Sequence, residues 1–560
     1  MYKKVLALAI ILVSVIAAYS AVPKKVQNAC KALGTVVSYG ANGKILSTSI
    51  AFIVGDGNEA ISEYTTFNKA YSAEFSGASS GKKKVVRIKG ASDIYDIVKF
   101  SIETAQKERL SSSKSVEKPG TVVYILRHGS KKGGEAVETK VEKIENVAGG
   151  KYYSLTQPYD DANVGCPVVN GEGEWIATVQ RNVGKDKATY AIGSDFCSSL
   201  TVSETDYANA ALNSIHIPKM LPSAEDKAYT YIYMQAQAGG DSVQLRAAID
   251  DFISAWPNNS DGYLERAKLG AAEGKFQECE ADISKAIAAA EKKDNPHYVL
   301  SRLIYQNALY NSSKAEAAGW TLDKSLSEAQ EAYNINPMPL YQLQMGDCYF
   351  GLKRYADAVK MYSDVNHSGI ASPETFFYEA RAREKADSTD VHILSALDSA
   401  VARFAKPYGK AVAPYILERA NQRANFERYR EATLDYLEYE HIVGFQNLND
   451  NFYYIREQVA LKGNMYKQAD DDINRALAIR PSDYVYNAEK AALMLRVGQF
   501  DDAIRSAKRA IGIDPKASDA YRLLGIAYGE TKNKQLCLQN LKKAKELGDE
   551  HSEELIEQYK

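Results

Sequence analysis

The sequence predicts two folds in one chain, an all-β domain followed by an all-α repeat solenoid. Three observations carry this. Short β-branched and aromatic runs, from GTVVSYG at Gly34 to EWIATVQ at Glu174, are bounded by Gly, Asn, Asp or Ser. That is how the strands of a barrel or sandwich are punctuated. From about residue 204 the runs lengthen and become rich in Ala, Leu, Glu and Lys, with the 3.6-residue periodicity of helices. The helical part also repeats itself: Ala469, Ala503 and Cys537 stand 34 residues apart, and so do Ala476, Ala510 and Ala544. Small residues at a fixed step predict stacked helix pairs that cross closely, not a single bundle.

The chain of 560 residues divides accordingly. Residues 1–20 read as a signal peptide: MYKK supplies the charges, VLALAIILVSVIAA the apolar run, and AYSA the small residues for cleavage near Ser20. The run is short for a membrane span, so the expectation is an exported protein, periplasmic or secreted. Residues 21–203 form the β domain, 204–224 a linker marked by Pro218 and Pro222, and 225–560 the helical array. Lys and Arg total 69 against 71 Asp and Glu, a net charge of −2, which gives no footing for nucleic acid. The basic run GKKKVVRIKG (81–90) alternates into a strand and reads as a solvated face. The six cysteines show no metal-ligand spacing, and no metal or cofactor is expected. A Cys30–Cys197 disulfide would tie the two ends of the β domain together.

The repeat resembles the tetratricopeptide family. Tyr521, Leu524, Gly525 and Tyr528 stand at its W-x-x-L-G-x-x-Y positions, and Met345, Gly346, Tyr349, Ala358 and Tyr362 match in an earlier unit. The resemblance implies eight or nine helix pairs with an inward row that binds a protein or peptide partner. In the C-terminal units that row includes Tyr454, Gln458, Lys462, Arg496 and Arg522. Aromatic and basic groups there suit an acidic or carboxylate-ended peptide, because arginine grips a carboxylate through two hydrogen bonds.

The β domain resembles trypsin-like serine proteases. AFIVGDGNEAISEYTTF is similar to the segment that carries the catalytic histidine, SDIYDIVKFSI to that of the aspartate, and NVGCPVVNGEGEWIATV to the serine turn. The resemblance implies a double barrel whose triad positions are Thr65, Asp96 and Val164. Only the aspartate is retained. No histidine precedes His128, so the base is missing, and a valine can neither attack nor give up a proton. Ala162 replaces the glycine that lets backbone N–H groups face an oxyanion. Cys166 lies two residues past the serine position with no histidine to activate it. The reading is a non-catalytic exported adaptor that binds protein partners through the repeat groove. Its alternatives are a hydrolase with a non-standard site in the β domain and an envelope- or carbohydrate-binding module, the latter prompted by 38 tyrosines.

Overall fold

The computed structural model describes residues 22–560 except 78–80, 116, 129–133, 148–149, 183, 185 and 240. The expected signal peptide therefore lies outside the described residues. The chain forms two compact units, Met1–Pro296 and His297–Lys560. Among the described residues no helix is long and apolar enough to cross a membrane.

The first unit opens with two closed antiparallel barrels of six strands each. Strands β1 (Leu33–Tyr39), β2 (Ile45–Val54), β3 (Glu59–Ser62), β4 (Ser72–Gly77), β5 (Lys82–Ser92) and β6 (Ile97–Ile102) close in the order β1-β2-β3-β6-β5-β4. The second barrel uses β7 (Val122–Arg127), β8 (Glu135–Val147), β9 (Gly150–Pro158), β10 (Pro167–Val169), β11 (Trp175–Val179) and β12 (Ala188–Gly193). Its order, β7-β8-β9-β12-β11-β10, is the same topology again. The double barrel expected from the protease resemblance is present.

Closure follows from the residue pattern. Inward side chains alternate along each strand and fill the barrel. Val36, Ala51, Ile53, Phe75, Ile88 and Phe100 fill the first, and Ile125, Val141, Leu155, Val168 and Val179 the second. Between the barrels lies a third cluster of Leu33, Phe52, Ile61, Ile97, Leu126 and Trp175. There Phe52 meets the Trp175 ring edge-on at 5.2 Å. β6 and β11 are buried on both faces because each also supports this seam.

The expected Cys30–Cys197 disulfide is absent. Cys30 and Cys197 are separate buried thiols. Cys30 donates to Val26 O, Cys197 lies beside the Thr178 hydroxyl, and burial pushes the Cys197 thiol up to about 12. Both serve the seam as small apolar side chains.

The stretch expected to be a linker is part of the first unit's body. His216 N donates to Ala70 O, and Lys69 N donates to Ser214 O. Ile88 N donates to Pro218 O, and Met220 N returns the bond to Ile88 O. Residues 214–220 thus lie along the first barrel as an extra edge, with a parallel bridge between Ile88 and Lys219. Pro218 and Pro222 suggested a hinge, but proline also suits an edge, where no ladder donor is needed. Ile215 and Ile217 pack with Tyr231, Ile249 and Phe252 of the next two helices, and Arg87 of β5 grips Asp251 through two bonds of 2.7 Å. Lys219 is buried, its ammonium held by Ile215 O and Gln244 Oε1. Trypsin should therefore leave the Lys219–Met220 bond uncut in the native protein. Early cleavage there, seen by mass spectrometry, would show that the segment is loose.

Nine helix pairs follow among the described residues. Each short connection leaves neighbouring helices antiparallel, and the small repeat positions let them cross closely. Ala469, Ala503, Cys537, Ala476, Ala510 and Ala544 are all fully buried. A Cβ on Gly346 would come within 2.7 Å of the Tyr362 ring, and one on Gly525 within 2.7 Å of Leu541. These glycines are required by close approach of the paired helices.

Three repeats depart from the apolar pattern in the same way. Arg266, Arg419 and Arg456 each reach an aspartate sixteen residues later on the partner helix: Asp282, Asp435 and Asp472. Each also reaches an acid of the preceding helix pair, respectively Asp250, Asp398 and Glu440. One guanidinium thus ties two repeats together. Arg456 is the most enclosed of the three, at 0 % exposure, and lies against the Phe452 and Tyr453 rings.

Glu457 stands where other repeats place Gly346, Ala491 or Gly525, and it too is fully buried. Burial pushes its carboxyl from 4.5 up to about 8, with Glu489 and Asp472 adding to the rise and the Gln458 amide opposing it. The folded state then holds a proton that the unfolded chain has released. Stability is therefore full below about 4.5 and falls as pH rises to about 8. Glu457→Gln should flatten this slope and raise stability at pH 8 by about 4 kcal/mol, read as urea midpoints at pH 5 and pH 8.

Candidate functional site

The segments matched to the triad do converge between the barrels. Thr65 follows β3 on a one-turn helix, Tyr64–Phe67. Asp96 ends the turn before β6 with φ +48°, a left-handed conformation that aspartate tolerates better than most residues. Its Oδ1 accepts from both the backbone N–H and the hydroxyl of Thr65, each at 2.7 Å. The threonine, which the protease resemblance puts at the histidine position, is thus the aspartate's hydrogen-bond donor. A hydroxyl there cannot serve as a base at neutral pH.

Two further residues complete the cluster. The Arg181 guanidinium, two residues past β11, binds Glu63 Oε2 at 2.7 Å and faces Asp96 Oδ2 at 3.8 Å. Glu63 is 8 % exposed, and burial together with the Asp96 charge pushes its pKa up against the pull of Arg181. One cation therefore serves two carboxylates where a protease would need a mobile imidazole. The sequence reading missed both residues. A lone Glu before a helix and a lone Arg after a strand carry no signal of their pairing across more than a hundred residues.

The serine turn lies opposite. Glu63 Cγ comes within 3.1 Å of the place a Cβ on Gly165 would take. Residues Asp161–Asn163 form a single 3-10 turn. Within it Ala162 N donates to Asp160 Oδ1 at 3.0 Å, and Val164 N donates to Asp161 O at 3.2 Å. These are the two backbone donors that the protease resemblance assigns to an oxyanion, and both are engaged inside the loop. Val164 is buried at 6 % exposure. The physical cause is local: Asp160 caps the turn, and Ala162 keeps to helical backbone where a glycine could flip.

The alternative nucleophile is equally enclosed. Cys166 is fully buried with its thiol 3.8 Å from Ala162 O, and burial pushes its pKa up to about 12. His128 is exposed and rests on Gly34 O and the Thr35 hydroxyl. A cavity of about 430 Å³ remains beside the turn, lined by Ile50, Glu63, Arg127, His128, Asp161 and Val164 among others.

In the repeat array the expected groove residues fare unequally. Lys462 and Arg496 are exposed. The Lys462 ammonium lies over the Tyr429 ring at 5.6 Å. Tyr454 and Gln458 are half-buried, Tyr454 against the Tyr486 ring at 5.2 Å and Gln458 bonded to Glu457. Arg522 is spoken for, because its Nε binds the buried Asp549 at 2.8 Å. The expected basic row thus loses one of its three cations to an internal pair, since the connection to the last helix folds back onto it.

No protein-family model matches the chain. Over 77 residues it is 38% identical to small glutamine-rich tetratricopeptide repeat-containing protein 2 of Mycosarcoma maydis. That stretch is 13% of this chain and spans 22% of the length of the curated relative it matches. The helical array is a tetratricopeptide-type solenoid. The 34-residue step, the buried small positions and the close glycine crossings all agree with that likeness. Among solved structures, the chain is similar to the Rv3671c protease of M. tuberculosis in its active form, with 11% identity over 32% of this chain and 86% of that one, TM-score 0.27. It is also similar to a serine endoprotease of Yersinia pestis, with 13% identity over 32% of this chain and 64% of that one, TM-score 0.28. At such low scores the fold rests on barrel closure and strand order instead.

Proposed function

We propose that this chain is an exported, non-catalytic adaptor. Its repeat array holds a protein partner along the inward row, and its double barrel is a protease-like body without protease chemistry. The observation that carries the second half is the serine turn, whose two oxyanion donors are bonded within their own loop. The cleft agrees with this, since Thr65 and Arg181 occupy the places and charges that a working triad needs free. The binding half is supported by the helix pairs and by the likeness to a tetratricopeptide protein. Export is supported by the amino-terminal pattern of charge, apolar run and small residues.

The test of the binding half is cross-linked capture from envelope extracts by the full chain. Lys462→Ala with Arg496→Ala should weaken capture without shifting the helical melt. Arg522 is left intact, since removing it would strand Asp549. Capture undiminished in the double variant would move the partner off this end of the row, and no capture by the wild type would end the adaptor reading.

A further inference from the structure

Position nine of the repeat at Pro339–Gly351, counted from Met345 and Gly346 at positions seven and eight, holds Asp347. This is the row that the repeat resemblance turns inward. The Tyr362 hydroxyl donates to Asp347 Oδ1 at 2.8 Å. The Tyr362 ring lies 5.8 Å from that of Tyr378, which is 40 % exposed. Tyr305 reaches the same place from helix Asp294–Tyr310, with its ring edge 3.6 Å from where a Cβ on Gly351 would lie. Burial raises the Tyr305 pKa, and the charges of Asp347, Cys348, Tyr310 and Tyr378 add to the rise.

The carboxyl thus accepts from one tyrosine, whose ring meets a second from the next repeat, while a third from the preceding repeat lies by Gly351, one turn along the same helix. Burial pushes it up to about 6, while the Tyr362 bond and the Arg302 charge pull it down. Arg302 itself lies over the Tyr298 ring at 5.8 Å. Its charge acts on Asp347. A carboxylate beside aromatic faces is complementary to a cation. The rings attract it through their faces, and the carboxylate accepts its N–H groups. An anion would be repelled, and a neutral group would leave the carboxylate as it is.

We infer that Asp347, with Tyr305, Tyr362 and Tyr378 around it, is a receiving site for a lysine or arginine side chain of the protein partner. This rests on the adaptor reading for its biological meaning, but the site has its own test. The full chain is titrated calorimetrically with an acetylated, amidated tetralysine peptide and with the matching tetraglutamate peptide. The wild type should bind tetralysine, and Asp347→Asn should leave whatever tetraglutamate binding the chain shows unchanged. Asp347→Asn, which keeps an acceptor for Tyr362, should weaken tetralysine by about tenfold or more, and Tyr378→Leu by a few-fold. Asp56→Asn, in an exposed turn of the first barrel, should leave tetralysine binding unchanged. Absence of tetralysine binding, or full tetralysine binding by Asp347→Asn, would overturn the site.

Capture from envelope extracts separates this inference from the adaptor reading. Capture that is unaffected by Asp347→Asn would remove the site and leave the adaptor. Asp347-dependent tetralysine binding in a protein that captures nothing would leave the site and remove the adaptor.

Discussion

Arg456→Ala should destabilise the helical array by ~3–5 kcal/mol, the largest loss expected from any single side chain in it. The guanidinium is wholly enclosed and binds Asp472 at 2.6 and 2.9 Å and Glu440 at 2.8 Å. Removing it leaves Asp472, also fully buried, without its counter-ion. Burial already raises the Asp472 pKa even with Arg456 in place, so the lone carboxylate would have to take up a proton or water. The loss should therefore be larger at pH 8 than at pH 4. Arg456→Met with Asp472→Leu removes both charges and should recover most of it, since a buried pair replaced by apolar groups of similar size is often neutral. Urea unfolding followed by far-ultraviolet circular dichroism checks this. A double variant as unstable as Arg456→Ala would mean that the arginine acts through its packing on Phe452 and Tyr453 instead of through its charge.

Restoring the missing side chains should not restore hydrolysis. Thr65→His with Val164→Ser supplies a base and a nucleophile beside the native Asp96. It leaves Ala162 N bonded to Asp160 and Val164 N bonded to Asp161 O. Loss of a single oxyanion donor costs about 10²–10³ in rate, and here both are engaged. Arg181, bound to Glu63, also faces the Asp96 carboxylate that the new imidazole would need as its partner. Turnover of a peptide ester should stay at the level of the wild type. Adding Ala162→Gly and Asp160→Ala to free the loop is the variant that should first show any gain. Hydrolysis by the simple double variant would mean that the turn opens when a substrate is present.

The two-part architecture was legible because it depends on periodicity, and periodicity survives in a single sequence. Runs such as STSIAFIVG alternate into a barrel, and the 34-residue step marks the helix crossings at Ala469, Ala503 and Cys537. The segments matched to the triad were chosen by order and local pattern, and Thr65 and Asp96 of two of them do meet. What was not legible depends on distant partners. Glu63 and Arg181 lie 118 residues apart and carry no local mark of their pairing. Arg522 looked free because its partner Asp549 comes from a connection beyond the repeat. Residues 214–220 looked like part of a linker because Pro218, with Pro222 just beyond, was read without the barrel that this segment lines. The acid at position 457 breaks the small-residue rule of its repeat, and only the fold reveals that it is buried.

On the proposed reading the protease-like double barrel does no protease chemistry. The most direct measurement is turnover of casein and of a mixed peptide library by the purified full chain, with Asp96→Ala and Cys166→Ala beside it. The account predicts no cleavage above buffer for any of the three. Cleavage by the wild type that disappears in either variant would contradict it.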